Sequence, residues 1–432
     1  MALVQTTGPS ARAVSEVVRL DGHVLDSLVL VKVLDTIVDA GASYKILELD
    51  VGTTNRDESH VRIEVSCPDE AALGALLERV QVHGVNREGQ EEAHLVPVDQ
   101  DGVLPDDFYS TTNLPTWVRL SGHWVEVGQP EMDCAVVVDL DGTTARTLPM
   151  HRARRGDRVV VGMHGVRVAP PRRSAGPGEF AFMTSEVSSE KPKGLTVERV
   201  AATLRRARLH DVGGQSRGIL AVCGPAVVHT GAAPALAALV REGWVQALFA
   251  GNGFATHDIE AAVLGTSLGV PLSGAEPSEH GHANHLRVIN TVRRFGSIAN
   301  AVDAGWLRRG VLYECVRAGV PFVLGGSVRD DGPLPDVISD TAAAADAMRE
   351  HLGGIGVALM LASTLHAIAT GNLLPATVET FCVDINQAVV TKLADRGSHQ
   401  ALGIVTDVGL FVGDLADLLC GPDWRAQVTR GP

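Results

Sequence analysis

Residues 356–411 read GVALMLASTLHAIATGNLLPATVETFCVDINQAVVTKLADRGSHQALGIVTDVGLF, and the fold is decided by how this stretch is divided. The spacing of Leu361, Leu365 and Ile368 predicts a helix over residues 357–371, stopped at Gly371-Asn372 before Leu373-Leu374-Pro375 turns the chain. Thr377 to Val383 is rich in β-branched and aromatic residues and predicts a strand with Asp384 at its carboxyl end. A helix over Asn386 to Ala394 and a short strand over Gly403 to Thr406, ending at Asp407-Val408-Gly409, complete the stretch. In a nucleotide-binding sheet a carboxylate at a strand end accepts hydrogen bonds from ribose hydroxyls. The same two acids are equally consistent with capping the helices that follow them.

The segment from Thr196 onward extends this alternation. Gly218 to Val222, Val245 to Ala250 and Pro321 to Leu324 predict strands, with helices over Ala255 to Leu264 and within Asn284 to Ala318. At least five strands alternating with helices make a doubly wound, Rossmann-like parallel sheet the economical architecture for residues 180–432. No G-x-G-x-x-G follows the first strand, and no P-loop is present. A dinucleotide would therefore use glycines spread over several strand ends: Gly224-Pro225 with His229-Thr230-Gly231, Gly251-Asn252-Gly253, and Gly325-Gly326-Ser327.

Two smaller modules precede this sheet. Strands over Val17 to Leu20, Tyr44 to Val51, His60 to Ser66 and Ala93 to Val98, with helices opening at Asp26 or Ser27 and at Asp69, give the order β-α-β-β-α-β of a ferredoxin-like α+β module at residues 15–100. WVRL, HWVEV, CAVVVDL, RVVVG and VRVAP then predict a small β-rich domain at residues 108–175, and PPRRSAGPGE has the composition of a linker.

Composition narrows the function classes. The 432 residues are 45% hydrophobic and 20% charged, with a formal net charge of −14, which argues against a nucleic-acid surface. Six cysteines without a C-x-x-C pair read as buried thiols in a reducing compartment. With no signal-like start and no run of 18 apolar residues, the expectation is a cytoplasmic protein without a membrane partner.

Among groups suited to chemistry, Asp258 follows Asn252 on the next helix and suits a general base that takes a proton from a substrate amine. The imidazole of His257 beside it suits the same task, or reads as a solvated histidine at a helix start. Arg329 suits a bidentate hold on a substrate carboxylate, or a simple pair with Asp330. His280, His282 and His285 in SEHGHANHL lack the carboxylates or thiols of a metal site, so no metal is expected.

Longer stretches carry a resemblance. GHVLDSLVLVKVLDTIVDAGASYKILELDVG, GPAVVHTGAAP, HDIEAAVLGTSLG, GGSVRDDGPLPDVISD and FCVDINQAVVTKLADRGSHQALGIVTDVGLF resemble the archaeal-type, NAD-dependent ornithine cyclodeaminases. They also resemble the carboxyl-terminal part of bifunctional arginine dihydrolase and ornithine cyclodeaminase enzymes. The resemblance implies conversion of L-ornithine to L-proline and ammonia through internal hydride transfer, and a homo-oligomer. It implies NAD at Asn252, Gly253, Asp331, Ser363, Thr364, Leu365, His366, Asp384, Asp407 and Val408. Arginine dihydrolase activity is not implied, because the guanidine-modifying domain has no counterpart. Where the family usually has Gly-Asn-Ala-Leu-Ala, this chain has Gly251-Asn252-Gly253-Phe254-Ala255. That departure predicts a phenyl ring beside the nicotinamide and leaves two alternatives open: an opine- or saccharopine-type amino-acid dehydrogenase, and a non-enzymatic protein that senses NAD and an amino acid.

Overall fold

The computed structural model describes residues 13–22, 29–52, 59–81, 83–89, 91–169, 193–209, 218–267, 270–271, 284–330, 332–389 and 401–425. The chain divides into two compact units, residues 1–183 and 184–432. No helix among the described residues is long and apolar enough to cross a membrane. The cysteines are free thiols, five of them buried.

The first unit begins with β1 (Val14–Gly22), α1 (Val29–Asp39), β2 (Ser43–Asp50), β3 (Ser59–Cys67), α2 (Glu70–Gln81) and β4 (Val85–Arg87). The strands form one antiparallel sheet in the order β2-β3-β1-β4, the ferredoxin-like arrangement expected. Strict alternation in β3 turns Val61, Ile63, Val65 and Cys67 inward, where Val29, Leu30, Val33 and Ile37 of α1 meet them. Asp69 caps α2 as its position suggested, its Oδ1 accepting from Ala72 N at 2.8 Å. The residues proposed to cap α1 lie outside the described set.

One expectation fails in this module. The strand over residues 93–98 exists, as β5 (His94–Pro97), but it belongs to the next sheet, and three-residue β4 completes the ferredoxin-like one. The second sheet also holds β6 (Thr116–Leu120), β7 (His123–Gly128), β8 (Ala135–Val138), β9 (Ala145–Leu148), β10 (Arg158–Val161) and β11 (Val166–Val168), in the order β11-β6-β7-β9-β8-β10-β5. The linker-like segment lies outside the described residues.

The second unit contains α3 (Lys193–Leu209), β12 (Gly218–Cys223), α4 (Ala226–His229), α5 (Ala233–Arg241), β13 (Ala247–Gly251), α6 (Asn252–Leu264), β14 (Thr266–Ser267), β15 (Val270–Pro271), α7 (Asn284–Phe295), α8 (Ile298–Asp303), α9 (Val311–Ala318), β16 (Phe322–Gly325), β17 (Val337–Ile338), α10 (Thr341–Glu350), β18 (Ile355–Leu361), α11 (Leu365–Leu373), β19 (Glu379–Asp384), β20 (Ala401–Val405) and a last helix, α12 (Val408–Cys420). Seven strands form a parallel sheet in the order β17-β16-β13-β12-β18-β19-β20. The chain grows outward from β12 in one direction and then returns to β12's other side with β18, so the topological switch point lies between β12 and β18.

The predicted helix over residues 357–371 is corrected here: its first half is strand β18, and only Leu365–Leu373 is helical. The reason is burial on both faces. Val357, Leu359 and Leu361 feed the core on one side of the sheet, Ala358 and Met360 the core on the other, so every position is apolar and no period of two appears.

Candidate functional site

The site candidate is the row of carboxyl ends around the switch point. Gly224 follows β12 and its N–H donates to Leu361 O at 2.9 Å, while an ideal Cβ on Gly224 would lie 1.8 Å from Ala362 O. Ala362 itself has a left-handed backbone, φ +45°. A strained residue and a glycine thus interlock where the two central strands end.

His366, on the first turn of α11, lies over the neighbouring strand ends. A Cβ on Gly251 would approach its Cε1 to 2.7 Å, and one on Gly325 its Nε2 to 3.2 Å. Burial lowers the pKa of His366 from the ordinary histidine value, with Asp330 opposing the shift.

Helices α6 and α11, which follow β13 and β18, start without any side-chain cap: Gly251 and Thr364 at their N-cap positions make no capping hydrogen bond. Their first backbone N–H groups are the donors that an anion at the strand ends would meet. Asn252 is buried and its Oδ1 accepts from Leu334 N at 3.0 Å, tying the loop after β16 to the start of α6. Gly253 is close enough to Pro225 that a Cβ would lie 3.3 Å from its Cγ. Ser363 is buried, and Thr364 and Leu365 are exposed.

The two strand-end acids make local hydrogen bonds. Asp384, buried at the end of β19, accepts from Asn386 N at 2.7 Å, and Asp407 caps α12 by accepting from Leu410 N at 2.9 Å. Val408, the first residue of α12, is buried. Asp331, His280 and His282 lie outside the described residues. His285 is on α7, and no group of three or more His, Cys, Asp or Glu suited to a metal occurs among the described residues.

Asp258 sits differently from its expected place. It is 2% exposed, and its Oδ1 and Oδ2 accept from Val311 N and Leu312 N, each at 2.9 Å, at the start of α9. Burial pushes its carboxyl up to about 6, against the opposing pull of those two hydrogen bonds. Both oxygens are engaged at the start of α9 and the carboxyl is buried, which gives Asp258 a structural employment. Phe254, expected beside the nicotinamide, is buried in the core between sheet and helices. Arg329 is exposed, makes no ion pair among the described residues, and does not bond to Asp330, whose Oδ2 accepts from Ser327 N at 2.8 Å.

A polar cluster that the sequence reading missed lies on α4 and α6. His257 is buried, and its Nδ1 is 3.1 Å from Oε2 of Glu260, a carboxyl with 0% exposure. Thr266 donates to Glu260 Oε1 at 2.8 Å and accepts from Asn284 Nδ2 at 3.0 Å. The His229 and His257 rings are 4.9 Å apart between centroids, and His229 Nδ1 is 2.7 Å from Ser267 Oγ. Burial, and then the charge of His257, hold His229 below the ordinary histidine pKa, with Glu260 opposing. The usable signal was the His257-Glu260 spacing of three on a helix, which places both on one face.

Comparison with known proteins adds a separate line. The profile described as "Arginine dihydrolase ArgZ-like, C-terminal, Rossmann fold" matches residues 198–415, its companion first region matches 115–197, and the "LOR/SDH bifunctional enzyme conserved region" matches 15–114. The ornithine cyclodeaminase of Methanocaldococcus jannaschii is 50% identical over 403 residues, covering 93% of this chain and 95% of that protein. That of Methanothermobacter thermautotrophicus is 49% identical over 396 residues, covering 91% and 95%. Among solved structures, apo ArgZ, an arginine dihydrolase from the ornithine-ammonia cycle in cyanobacteria, has a TM-score of 0.81 at 38% identity, covering 99% of this chain and 61% of that one. A ternary complex of AgrE with ornithine and NAD+ has a TM-score of 0.50 at 42% identity, covering 97% and 59%. The chain spans about three fifths of these two longer proteins.

Proposed function

The chain belongs to the archaeal-type, NAD-dependent ornithine cyclodeaminase family, and from that premise we propose that it is an ammonia-lyase converting L-ornithine to L-proline and ammonia. The observation that carries the reading is that α6 and α11, which follow β13 and β18 on either side of β12, both start without side-chain caps beside the glycines that end β12, β13 and β16. Bare N–H donors suit a pyrophosphate, and the Asp384 carboxylate at the end of β19 suits a ribose, so the residues present fit NAD. In this reading Asn252, Gly253, Ser363, Thr364, Leu365, His366, Asp384, Asp407, Val408 and Asp331 hold it. When bound, NAD supplies the two-electron acceptor and donor that the substrate α-carbon requires within one turnover.

The protein's own groups do the rest. Arg329, exposed on the loop after β16, holds the substrate carboxylate. The proton of the substrate amine passes to His229, whose burial favours the neutral form and whose Nδ1 is held by Ser267, with the His257 ring, itself held by Glu260, packed beside it. This transfers to the histidine cluster the role expected of Asp258. The buried walls around the switch point exclude water that would hydrolyse a cyclic imine. The reading also takes the chain as a homo-oligomer of three modules, with β5 in the second of them.

The test is to incubate the protein with ornithine and NAD and follow proline, ammonia and NADH together. Proline and ammonia should rise in equal amounts while NADH stays flat. NADH rising in step with ornithine loss would contradict the cyclodeaminase reading and favour an opine- or saccharopine-type dehydrogenase.

A further inference from the structure

Strand β2 is the outer strand of the ferredoxin-like sheet, bonded to β3 on one side and to no strand among the described residues on the other. All eight of its residues are exposed. Edge strands are ordinarily blunted by charge, proline or brevity. This one carries Lys45, Glu48 and Asp50 but also presents Tyr44, Ile46, Leu47 and Leu49, each between 38% and 47% exposed. Its register sets Tyr44 opposite Val65, Ile46 opposite Ile63 and Leu49 opposite Val61, and those three β3 residues are core. Tyr44, Ile46 and Leu49 therefore form the unfinished border of a hydrophobic core, and α1 adds exposed Val31 and Val38 in the same module.

The opposite face is charged and patterned. A bulge at Leu47 shifts the register between Ile46 and Glu48, so Lys45 and Glu48, three residues apart, share one face opposite Glu64 and Arg62. We propose that β2 pairs antiparallel with β2 of a second copy of this chain about a two-fold axis, merging two four-stranded sheets into one of eight strands. A pairing centred between Ile46 and Leu47 sets Lys45 opposite Glu48 of the partner subunit and Tyr44 opposite Leu49 of the partner subunit. Each pair falls on one face because of the bulge, and two-fold symmetry makes each contact twice. Without the bulge the same centring would set core-face residues against charged-face ones. This names the contact for the homo-oligomer proposed above and rests on that part of the reading alone, independent of the reaction catalysed.

Sedimentation of the full chain at micromolar concentration tests it. The parent should sediment as a dimer or a multiple of one, and Leu49→Lys should halve the mass, raising the dimer dissociation constant by 10-fold or more. A second variant fixes the register even where Leu49→Lys fails to fold. Tyr44→Cys combined with Leu49→Cys should cross-link to a covalent dimer on mild oxidation, whereas either single substitution should not. A monomeric parent, a folded Leu49→Lys chain that keeps the parent's mass, or a double-cysteine chain that stays uncross-linked would overturn the proposal. Because none of these readouts uses ornithine or NAD, failure here is distinguishable from failure of the cyclodeaminase reading.

Discussion

Within the second unit, helix starts fall into two groups. At the sheet's centre, α6 and α11 begin with bare N–H groups, whereas α8, α10 and α12 begin under the side chains of Ser297, Asp340 and Asp407. An N-cap is worth roughly 0.5–2 kcal/mol, so its omission has a cost in stability. Helix α5 also starts uncapped, with proline in its first turn, and the first N–H groups of α9 are met by Asp258 from α6, so the bare starts of α6 and α11 stand out by their place at the strand ends of the sheet's centre. The same contrast runs along α6. Its first turn faces the strand ends, while further along it two acids two positions apart have separate employments, Asp258 holding α9 and Glu260 backing His257.

Replacing those two acids sharpens the contrast most. Glu260→Gln should lower kcat by about 100-fold or more, the scale of losing support for an acid-base group, while NAD affinity stays near that of the parent. Steady-state kinetics beside NAD calorimetry would separate the two. Since burial and His257 hold His229 low, the acid limb of kcat/KM should fall below the ordinary histidine range of about 6.5. A limb at higher pH would remove His229 from the proton path.

Asp258→Asn should act on stability, costing about 1–3 kcal/mol because an amide can accept from only one of the two helix N–H groups. The sign with pH is also fixed. The folded pKa, about 6, lies above the ordinary 3.8, so over that interval the folded protein retains a proton that the unfolded chain has released. Stability from this group is greatest below pH 3.8 and is lost as pH rises through about 6. Chemical denaturation as a function of pH should show that slope in the parent and lose it in Asp258→Asn. Normal stability with a collapsed kcat would return Asp258 to the chemistry.

These acids also show what the sequence made legible. The alternation of β3 and the stripe of α1 each have one buried face, so hydrophobic period located them. Strand β18 and helix α6 are buried all round, which erases period. The apolar run of the first therefore predicts a helix, and nothing in the second marks His257 as buried. The fourth ferredoxin-like strand, Val85–Arg87, is too short to carry any period, so the alternation points to the longer strand after it. Glycines and acids at strand ends were readable because each stands where a predicted strand stops. The linkage of His229 with His257 was not, because it depends on how α4 packs on α6.

A smaller effect is expected where the central strands interlock. Gly224→Ala forces Ala362 O to move, and a shift of this kind costs roughly 1–3 kcal/mol. Thermal unfolding should register that loss, and NAD affinity should fall with it. Unchanged affinity would place the cofactor away from the switch point.

The smallest effect tests the bare helix starts themselves. Thr364→Asp puts a carboxylate at the head of α11, which should stabilise the ligand-free protein by about 0.3–1 kcal/mol while weakening NAD binding several-fold. Stabilisation without weakened binding would mean that no anion meets α11.

The central claim is that oxidation and reduction occur on one substrate within one turnover, and label transfer tests it most directly. Ornithine deuterated at the α-carbon, turned over with unlabelled NAD and analysed by mass spectrometry, should give proline that retains the deuterium at its α-carbon. Deuterium found in free NADH, or exchanged into solvent, would contradict the account.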